Sequence, residues 1–294
     1  MDLVDKVQKT LVTAGSSYSE DRLNAFNRAL KLEEELGNEN AVWALEQMIS
    51  NFKVARKNGL PLCDDTGIPH IVIEIGKNRE IPKNFFNDIN EGIEKGLSSL
   101  PGRPMAVKGN DIERIEQSCG LYENSDALKP CSFLFEQKDE STYSKYLDVD
   151  DDRIKVNILL QGGGPEIRAK TYRVFHKRDS EIVLGEAVLW LKESLSLLGC
   201  TPSIPAIGIG RTHFEASSLM IRAMVHGNLD NQSDLENKIS KDLNETDIGP
   251  LGLGGKTTVL GTFLNIGSQR ASGVRIVSVR PACFVEPRVA SFEF

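Results

Sequence analysis

The sequence has no apolar run approaching the roughly 20 residues that cross a bilayer, which argues against a membrane-spanning helix. It also lacks an excess of positive charge: 35 Lys and Arg stand against 42 Asp and Glu, a net charge of -7. A surface that tracks nucleic-acid phosphates needs a basic stripe, so nucleic acid is not an expected partner. The opening Met1-Asp-Leu-Val-Asp-Lys6 is without the basic-then-apolar order of a secretory signal, and the expected compartment is the cytoplasm. Cysteine is sparse. Cys63, Cys119, Cys131, Cys200 and Cys283 are odd in number and far apart, unlike a short, dense disulfide scaffold, so reduced thiols are expected. The close pairs of a zinc ribbon and the tight run of a ferredoxin are both missing. Any metal site must therefore be assembled by the fold from distant loops; otherwise a lone Cys is simply a small buried hydrophobe. There is no internal repeat and no low-complexity tract.

What is present is an ordinary globular composition, 40% hydrophobic and 26% charged over 294 residues, enough for one sizeable core or two smaller ones. Leu, Val and Ala periodicity predicts an all-helical region from about 2 to 59. A strand comes next at 69–76 and a helix at 84–100. Residues 101–152 are the least regular, with Pro101, Pro104, Gly109, Gly120 and Pro130, then the acidic run Asp148, Asp150, Asp151 and Asp152, expected to be a solvated face. Lys155–Leu160 reads as a strand stopped by Gly162-Gly163-Gly164-Pro165. Helices are predicted near 181–198, 214–226 and 232–245, and strands at 206–209, 257–267 and 273–279. The sum is an α/β (α+β) chain: a single domain over 1–294, with a helical N-terminal subdomain (1–60) packed on an α/β subdomain (61–294) carrying a mixed sheet.

The stretch Leu60-Pro-Leu-Cys63-Asp64-Asp65-Thr66-Gly67 sets a thiol beside two carboxylates in a turn between a helix and a strand. A thiolate can hold a soft metal and a neighbouring carboxylate can move a proton, and loops are where a rigid scaffold aims such groups. Two glycine loops invite other readings. Gly208-Ile-Gly210 lies between a strand and a helix, but the third glycine of a dinucleotide fingerprint falls at His213. Gly249 to Gly255-Lys256-Thr257 is one residue too long for a phosphate loop. The segment after Lys256 also reads as strand, so no helix N-terminus would face an anion. The four histidines, His70, His176, His213 and His226, read as structural.

In order along the chain, these motifs resemble the α subunit, or N-terminal half, of the class I iron–sulfur fumarate hydratases and L-tartrate dehydratases. Pro61-Leu-Cys63-Asp64-Asp65-Thr66-Gly67 is similar to the family's Cys-Gln-Asp-Thr-Gly. Gly162-Gly163-Gly164 resembles its Gly-Gly-Gly-Ser loop, and Gly199-Cys200-Thr-Pro202 with Ile207-Gly-Ile-Gly210 its Cys-Pro-Pro and Gly-Ile-Gly-Gly-Thr segments. Ile248-Gly-Pro-Leu-Gly-Leu-Gly-Gly-Lys256-Thr-Thr258 is the strongest likeness, and Cys283, with Arg288 after it, stands where the family has its last cysteine.

The resemblance implies three thiolate ligands, Cys63, Cys200 and Cys283, for a [4Fe–4S] cluster with one iron left open as a Lewis acid. Cys119 and Cys131 fall outside that set. It implies Asp65 as the catalytic proton-transfer group, and Asp64, Arg103, Gly163 and Gly164 as substrate-binding positions, Arg103 as a guanidinium fork for a dicarboxylate. The reaction implied is reversible hydration of a small dicarboxylic hydroxy acid, fumarate and malate first. The same chemistry on tartrate or another 2-hydroxy acid, or a divergent non-catalytic paralogue, are the alternatives. The chain stops where one-chain members continue, so a separate β subunit is expected, in an α2β2 assembly or around a homodimer. Four departures stand near the presumed site. Asp64 replaces a Gln, either as a second charge or as a turn cap; Pro165-Glu166-Ile167-Arg168 replaces Ser-Glu-Asn-Lys; Arg211 replaces a glycine; and Arg270-Ala271-Ser272 replaces His-Thr-Ala.

Overall fold

A computed structural model describes residues 2–129, 131–138, 147 and 149–294. Pro130 and Asp148 lie outside the described residues. The first half contains α1 (Leu3–Ser16), α2 (Glu20–Glu35), α3 (Glu39–Asn58), β1 (Ile68–Ile75), α4 (Phe85–Ser99), α5 (Asp111–Glu116), β2 (Ser132–Gln137) and β3 (Ile154–Gln161). The second half contains α6 (Gly163–Glu166), β4 (Lys170–Phe175), α7 (Ser180–Ser196), β5 (Ala206–Gly210), α8 (His213–His226), α9 (Asp234–Asn244), β6 (Phe263–Ile266), β7 (Val274–Arg280) and β8 (Arg288–Glu293).

The described chain forms two compact units that interleave in sequence. The first comprises Met1–Ser17, Phe52–Gly162 and Arg288–Phe294. Its sheet has the order β2-β1-β3-β8, parallel between β1 and β2 and antiparallel elsewhere. Ile71, Ile73, Val156 and Ile158 supply the core from the central strands, and α1 and α4 cover it with Val7, Leu11, Ile89 and Ile93. The helical spacing of those apolar residues places one stripe of each helix inward. Asp2 caps α1 by accepting from the Asp5 amide at 2.8 Å. The register sets Ile68 opposite Gln161 and Leu160 opposite Arg288, so the entry to β1, the end of β3 and the start of β8 share one end of the sheet.

The second unit comprises Tyr18–Asn51 and Gly163–Pro287. Its sheet has the order β4-β7-β5-β6. α8 packs on β5, β7 and β6, and α7 on β7 and β4. Gly208 explains why a glycine stands in β5: a Cβ there would lie 2.1 Å from the carbonyl oxygen of Ala216 in α8. Glycine here serves helix-on-strand packing.

The helices of the first 60 residues form as expected, but contacts do not group them together. α1 belongs to the first unit, α2 to the second, and α3 crosses the division. There are two four-stranded mixed sheets among the described residues rather than one. β2, in the stretch read as irregular, pairs in parallel along β1. Conversely, residues 257–262 do not continue β6: the first three amides are taken by side chains, and the Leu260 amide donates to the Ser203 carbonyl at 2.9 Å. The Thr257 amide donates to Glu33 at 2.6 Å, and the Thr258 and Val259 amides share the Asn244 side-chain oxygen at 2.9 and 2.8 Å.

Candidate functional site

In the first unit the Cys63 turn is organised by Asp64. Its carboxylate accepts from the Asp65 amide at 2.9 Å and faces the Cys63 thiol at 3.5 Å. Its carbonyl oxygen accepts from the amides of Thr66, at 3.1 Å, and Arg103, at 3.0 Å. The guanidinium of Arg103 stands 3.5 Å from the same carboxylate, both side chains being largely exposed. The structure thus brings Cys63, Asp64, Asp65 and Arg103 into one turn cluster, with Asp64 as a turn cap that also carries charge toward Arg103. The entry into β1 is fixed by Gly67, whose φ of +84° suits glycine, and a Cβ there would sit 2.7 Å from both Arg288 Nη2 and the Gln161 backbone.

Arg288 is buried and donates from Nη1 to the Asp65 carbonyl oxygen. Burial pushes the Cys63 thiol upward, while the Asp65 backbone amide and the Arg288 charge pull it back and Asp64 adds to the rise. A soft cation is the natural substitute for the proton in such a place, since it removes the cost of a buried thiolate.

In the second unit the Cys200 and Cys283 segments lie side by side: the Phe284 amide donates to the Cys200 carbonyl at 3.1 Å. Thr201, beside Cys200, ties the segment to the glycine loop. Its hydroxyl donates to the Gly249 carbonyl at 2.6 Å, and its own carbonyl accepts from the Leu251 amide at 2.9 Å. Packing around the Cys200 sulfur pushes that thiol upward, although the residue as a whole is exposed.

The Cys283 turn is held from two sides by buried arginines. Arg22, from α2, donates to the carbonyls of Val285, at 2.8 Å, and Pro287. Arg280, at the end of β7, makes a two-pronged ion pair with Glu286 at 3.0 and 3.1 Å and a further one with Glu166 of α6. Burial acts to lower the Arg280 pKa, and the two carboxylates outweigh it. The Glu286 amide in turn donates to the Cys283 carbonyl at 2.9 Å. One ionic network therefore links the helix that contains Gly163 and Gly164 to the turn that carries Cys283.

Arg211, a departure from the family pattern, is turned onto Glu215 at 2.8–3.0 Å. Lys256 pairs with Asp247 at 2.6 Å and no helix comes after it, so the phosphate-loop geometry is not formed. His176 bridges backbone, its Nε2 facing the Ser272 carbonyl at 2.8 Å and its Nδ1 accepting from the Arg178 amide at 2.8 Å.

Sequence reasoning passed over Glu166, Arg280, Glu286, Arg22, Gln161 and Thr66. A signal existed for Arg280: it ends a strand after Ile276, Val277 and Val279, where a buried charge must have a partner. Arg22 sits on a helix with many charges, and nothing in its spacing distinguishes it.

The sequence pattern of the fumarate hydratase (Fumerase) family matches residues 4–293, nearly the whole chain. The chain belongs to this family. It is 29% identical over 274 residues to a Methanocaldococcus jannaschii protein provisionally named L(+)-tartrate dehydratase subunit alpha, covering 90% of this chain and 89% of that one. It is 24% identical over 250 residues to the L(+)-tartrate dehydratase subunit alpha of Escherichia coli K12, covering 82% and 75%. It is also 24% identical over 276 residues to a Geobacillus stearothermophilus protein provisionally named fumarate hydratase class I, covering 88% of this chain but 49% of that protein. No helix among the described residues is long and apolar enough to cross a membrane.

The donor chemistry fits the cluster that membership in the class I branch implies. None of the five cysteines is in a disulfide, and Cys63, Cys200 and Cys283 stand in turns fixed by hydrogen bonds. Among the described residues no three His, Cys, Asp or Glu groups are gathered closely enough for a single metal ion. A cube spreads its thiolates over different irons, so the two requirements differ.

Proposed function

We propose that this chain is the cluster-binding α subunit of an iron–sulfur hydro-lyase that adds or removes water across a four-carbon dicarboxylate, with fumarate and malate as the first pair. The observation that carries the proposal is the family match over residues 4–293, together with the fixed turns that present Cys63 beside Asp65 and Cys200 beside Cys283. In this reading Cys63, Cys200 and Cys283 hold a [4Fe–4S] cluster, and residues 1–294 act as one cluster-binding domain. When bound, such a cluster supplies an iron without a protein ligand, which acts as a Lewis acid toward a substrate hydroxyl and carboxylate.

The chain's own residues would do the rest. Asp65, its backbone fixed by Arg288, moves the proton at the substrate carbon or at the departing water. Arg103, largely exposed beside Asp64, offers a planar fork to a substrate carboxylate, and Asp64 keeps that fork oriented. Gly163 and Gly164, in the short α6, stand at positions that the family resemblance gives to substrate binding. Relatives named as alpha subunits support a separate β subunit; the assembly proposed is α2β2, acting in the cytoplasm.

A second reading, tartrate as substrate, is favoured by the names of the M. jannaschii and E. coli relatives. The test is turnover by anaerobically prepared protein, co-expressed with its β subunit, on fumarate, L-malate and both tartrate enantiomers. Turnover on the first pair supports the proposal, and turnover on tartrate alone supports the second reading. A full cluster with no turnover on any of them points to a non-catalytic paralogue.

A further inference from the structure

The two ends of the second unit's sheet differ. At one end Ala206 of β5 stands opposite Arg280 of β7, where the Cys200 segment enters and the Cys283 segment leaves. At the other end Ile209 of β5 stands opposite Ile266 of β6 and Val277 of β7. There a cavity of about 430 Å³ opens between the sheet, the N-terminal turns of α7 and the first turn of α9. Its apolar wall is Val183, Leu184, Ile209, Leu235 and Ile266, of which Leu235 and Ile266 are 39% and 49% exposed. The volume falls within the roughly 300–1,000 Å³ of small-molecule sites, and an apolar hollow with a few polar groups at its lip is their usual form.

The lip is basic, in a chain whose net charge is -7. Arg275 pairs across the ladder with Val174, and alternation along β7 puts it on the face of Val277 and Val279, which pack in the core. It is therefore a charge at an inward register position, at the point where the core layer runs out and the cavity begins. Its Nη1 donates to the Val274 carbonyl at 2.9 Å, and no carboxylate among the described residues pairs with it. Arg178 lines the same cavity, likewise without an ion pair among the described residues. His176 holds the two arginine segments together. Its Nδ1 accepts from the Arg178 amide at 2.8 Å and its Nε2 faces the Ser272 carbonyl at 2.8 Å, so both ring nitrogens are used and the ring adds no charge. The carboxylate in the lining, Asp179, caps α7 by accepting from the Glu181 amide at 2.9 Å. Two guanidiniums without counter-charges above an aliphatic wall form a donor set for an anion with an apolar body. The small dicarboxylates of the proposed reaction have no such body.

We infer that this cavity binds an organic anion with a carboxylate head and an aliphatic tail, the head on Arg178 and Arg275 and the tail against Leu235 and Ile266. The site lies at the end of the sheet away from Cys200 and Cys283, and it depends neither on the cluster nor on the hydro-lyase reading.

The test titrates the full chain calorimetrically with butyrate, hexanoate and octanoate, with 1-hexanol, succinate and inorganic phosphate as controls. The site predicts one acid per chain and an affinity that rises about fourfold per methylene as the tail is buried. Arg275→Gln and Arg178→Gln should each weaken octanoate binding about tenfold or more. Leu235→Glu should abolish it, because a carboxylate suits the first turn of α9 but sets a like charge against the anion. Melting temperatures near that of the wild type show that the variants fold. Unchanged octanoate affinity in both arginine variants or in Leu235→Glu overturns the site. So does hexanol binding as tight as hexanoate, succinate or phosphate binding as tight as octanoate, or no acid binding at millimolar concentration. If Leu235→Glu changes only the sedimentation of the chain, the hollow is an interface between copies and the proposal fails.

Discussion

Replacing Arg280 by Met removes the cation that holds the Cys283 turn while keeping an unbranched apolar stem of similar reach. Arg280 is fully buried and Glu286 1% exposed, so Glu286 would be left a buried charge without its two-pronged partner. Breaking such a pair costs about 3–5 kcal/mol. The second partner, Glu166, is 63% exposed, and losing it adds less than about 1 kcal/mol. At about 2–4 °C per kcal/mol the melting temperature should fall by roughly 10 °C, read by calorimetry alongside urea unfolding. The decisive comparison is the double variant Arg280→Met with Glu286→Leu. Removing both charges leaves no orphan and should recover most of the loss, because apolar replacement of a whole buried pair is often neutral. The single variant should also speed alkylation of Cys283 relative to Cys119, read by mass spectrometry, since the Glu286 amide bond to the Cys283 carbonyl loses its support. A single variant costing less than about 1 kcal/mol, or a double variant no better than the single, would refute the clamp.

Arg22→Met should cost at least about 2 kcal/mol in urea unfolding, because it leaves the buried carbonyls of Val285 and Pro287 without a donor; a neutral result would remove Arg22 from the clamp. Gly67→Ala should destabilise by roughly 1–3 kcal/mol or more, since φ is +84° and the new Cβ meets the Gln161 backbone at 2.7 Å, and a well-folded, fully stable variant would contradict that geometry. Arg211→Ala should cost little, being a surface pair. Its cost should also depend on pH. The Arg211 hydrogen bonds hold the Glu215 carboxyl below its ordinary value of 4.5, so the stabilisation is present above that pH and fades as pH falls through the depressed value. A wild-type-minus-variant difference that grows on acidification would show the sign to be wrong.

Most of the elements were legible where one period dominates. Val7, Leu11 and Ala14, or Ile71, Val72 and Ile73, announce their element without help from tertiary structure. The strands that escaped notice were the ones whose pairing is decided elsewhere. β2 has its alternating Phe133 and Phe135 inside a stretch rich in glycine and proline, and it is a strand because β1 offers an edge. β8 is six residues long after Pro287 and depends on β3. Residues 257–259 are all β-branched but satisfy their amides with Glu33 and Asn244, a choice that no local propensity encodes. At the site the pattern was similar. Cys63, Asp64 and Asp65 were visible because they adjoin one another in a turn, whereas Arg22 is recognisable only from what lies opposite it across the fold, and the partners of Arg280 and Arg288 appear only there. The division of α1 and α2 between separate units belongs to the same class of fact, since both helices read alike in sequence.

The central claim is that three thiolates of this chain hold an iron–sulfur cube, and the most direct measurement is the iron and acid-labile sulfide content of anaerobically reconstituted protein. About four of each per chain are expected, with a broad visible absorption, and loss of both in Cys63→Ala, Cys200→Ala and Cys283→Ala but not in Cys119→Ala or Cys131→Ala. A wild-type protein that stays colourless and free of sulfide, or one whose cluster survives removal of any of the three, would contradict it.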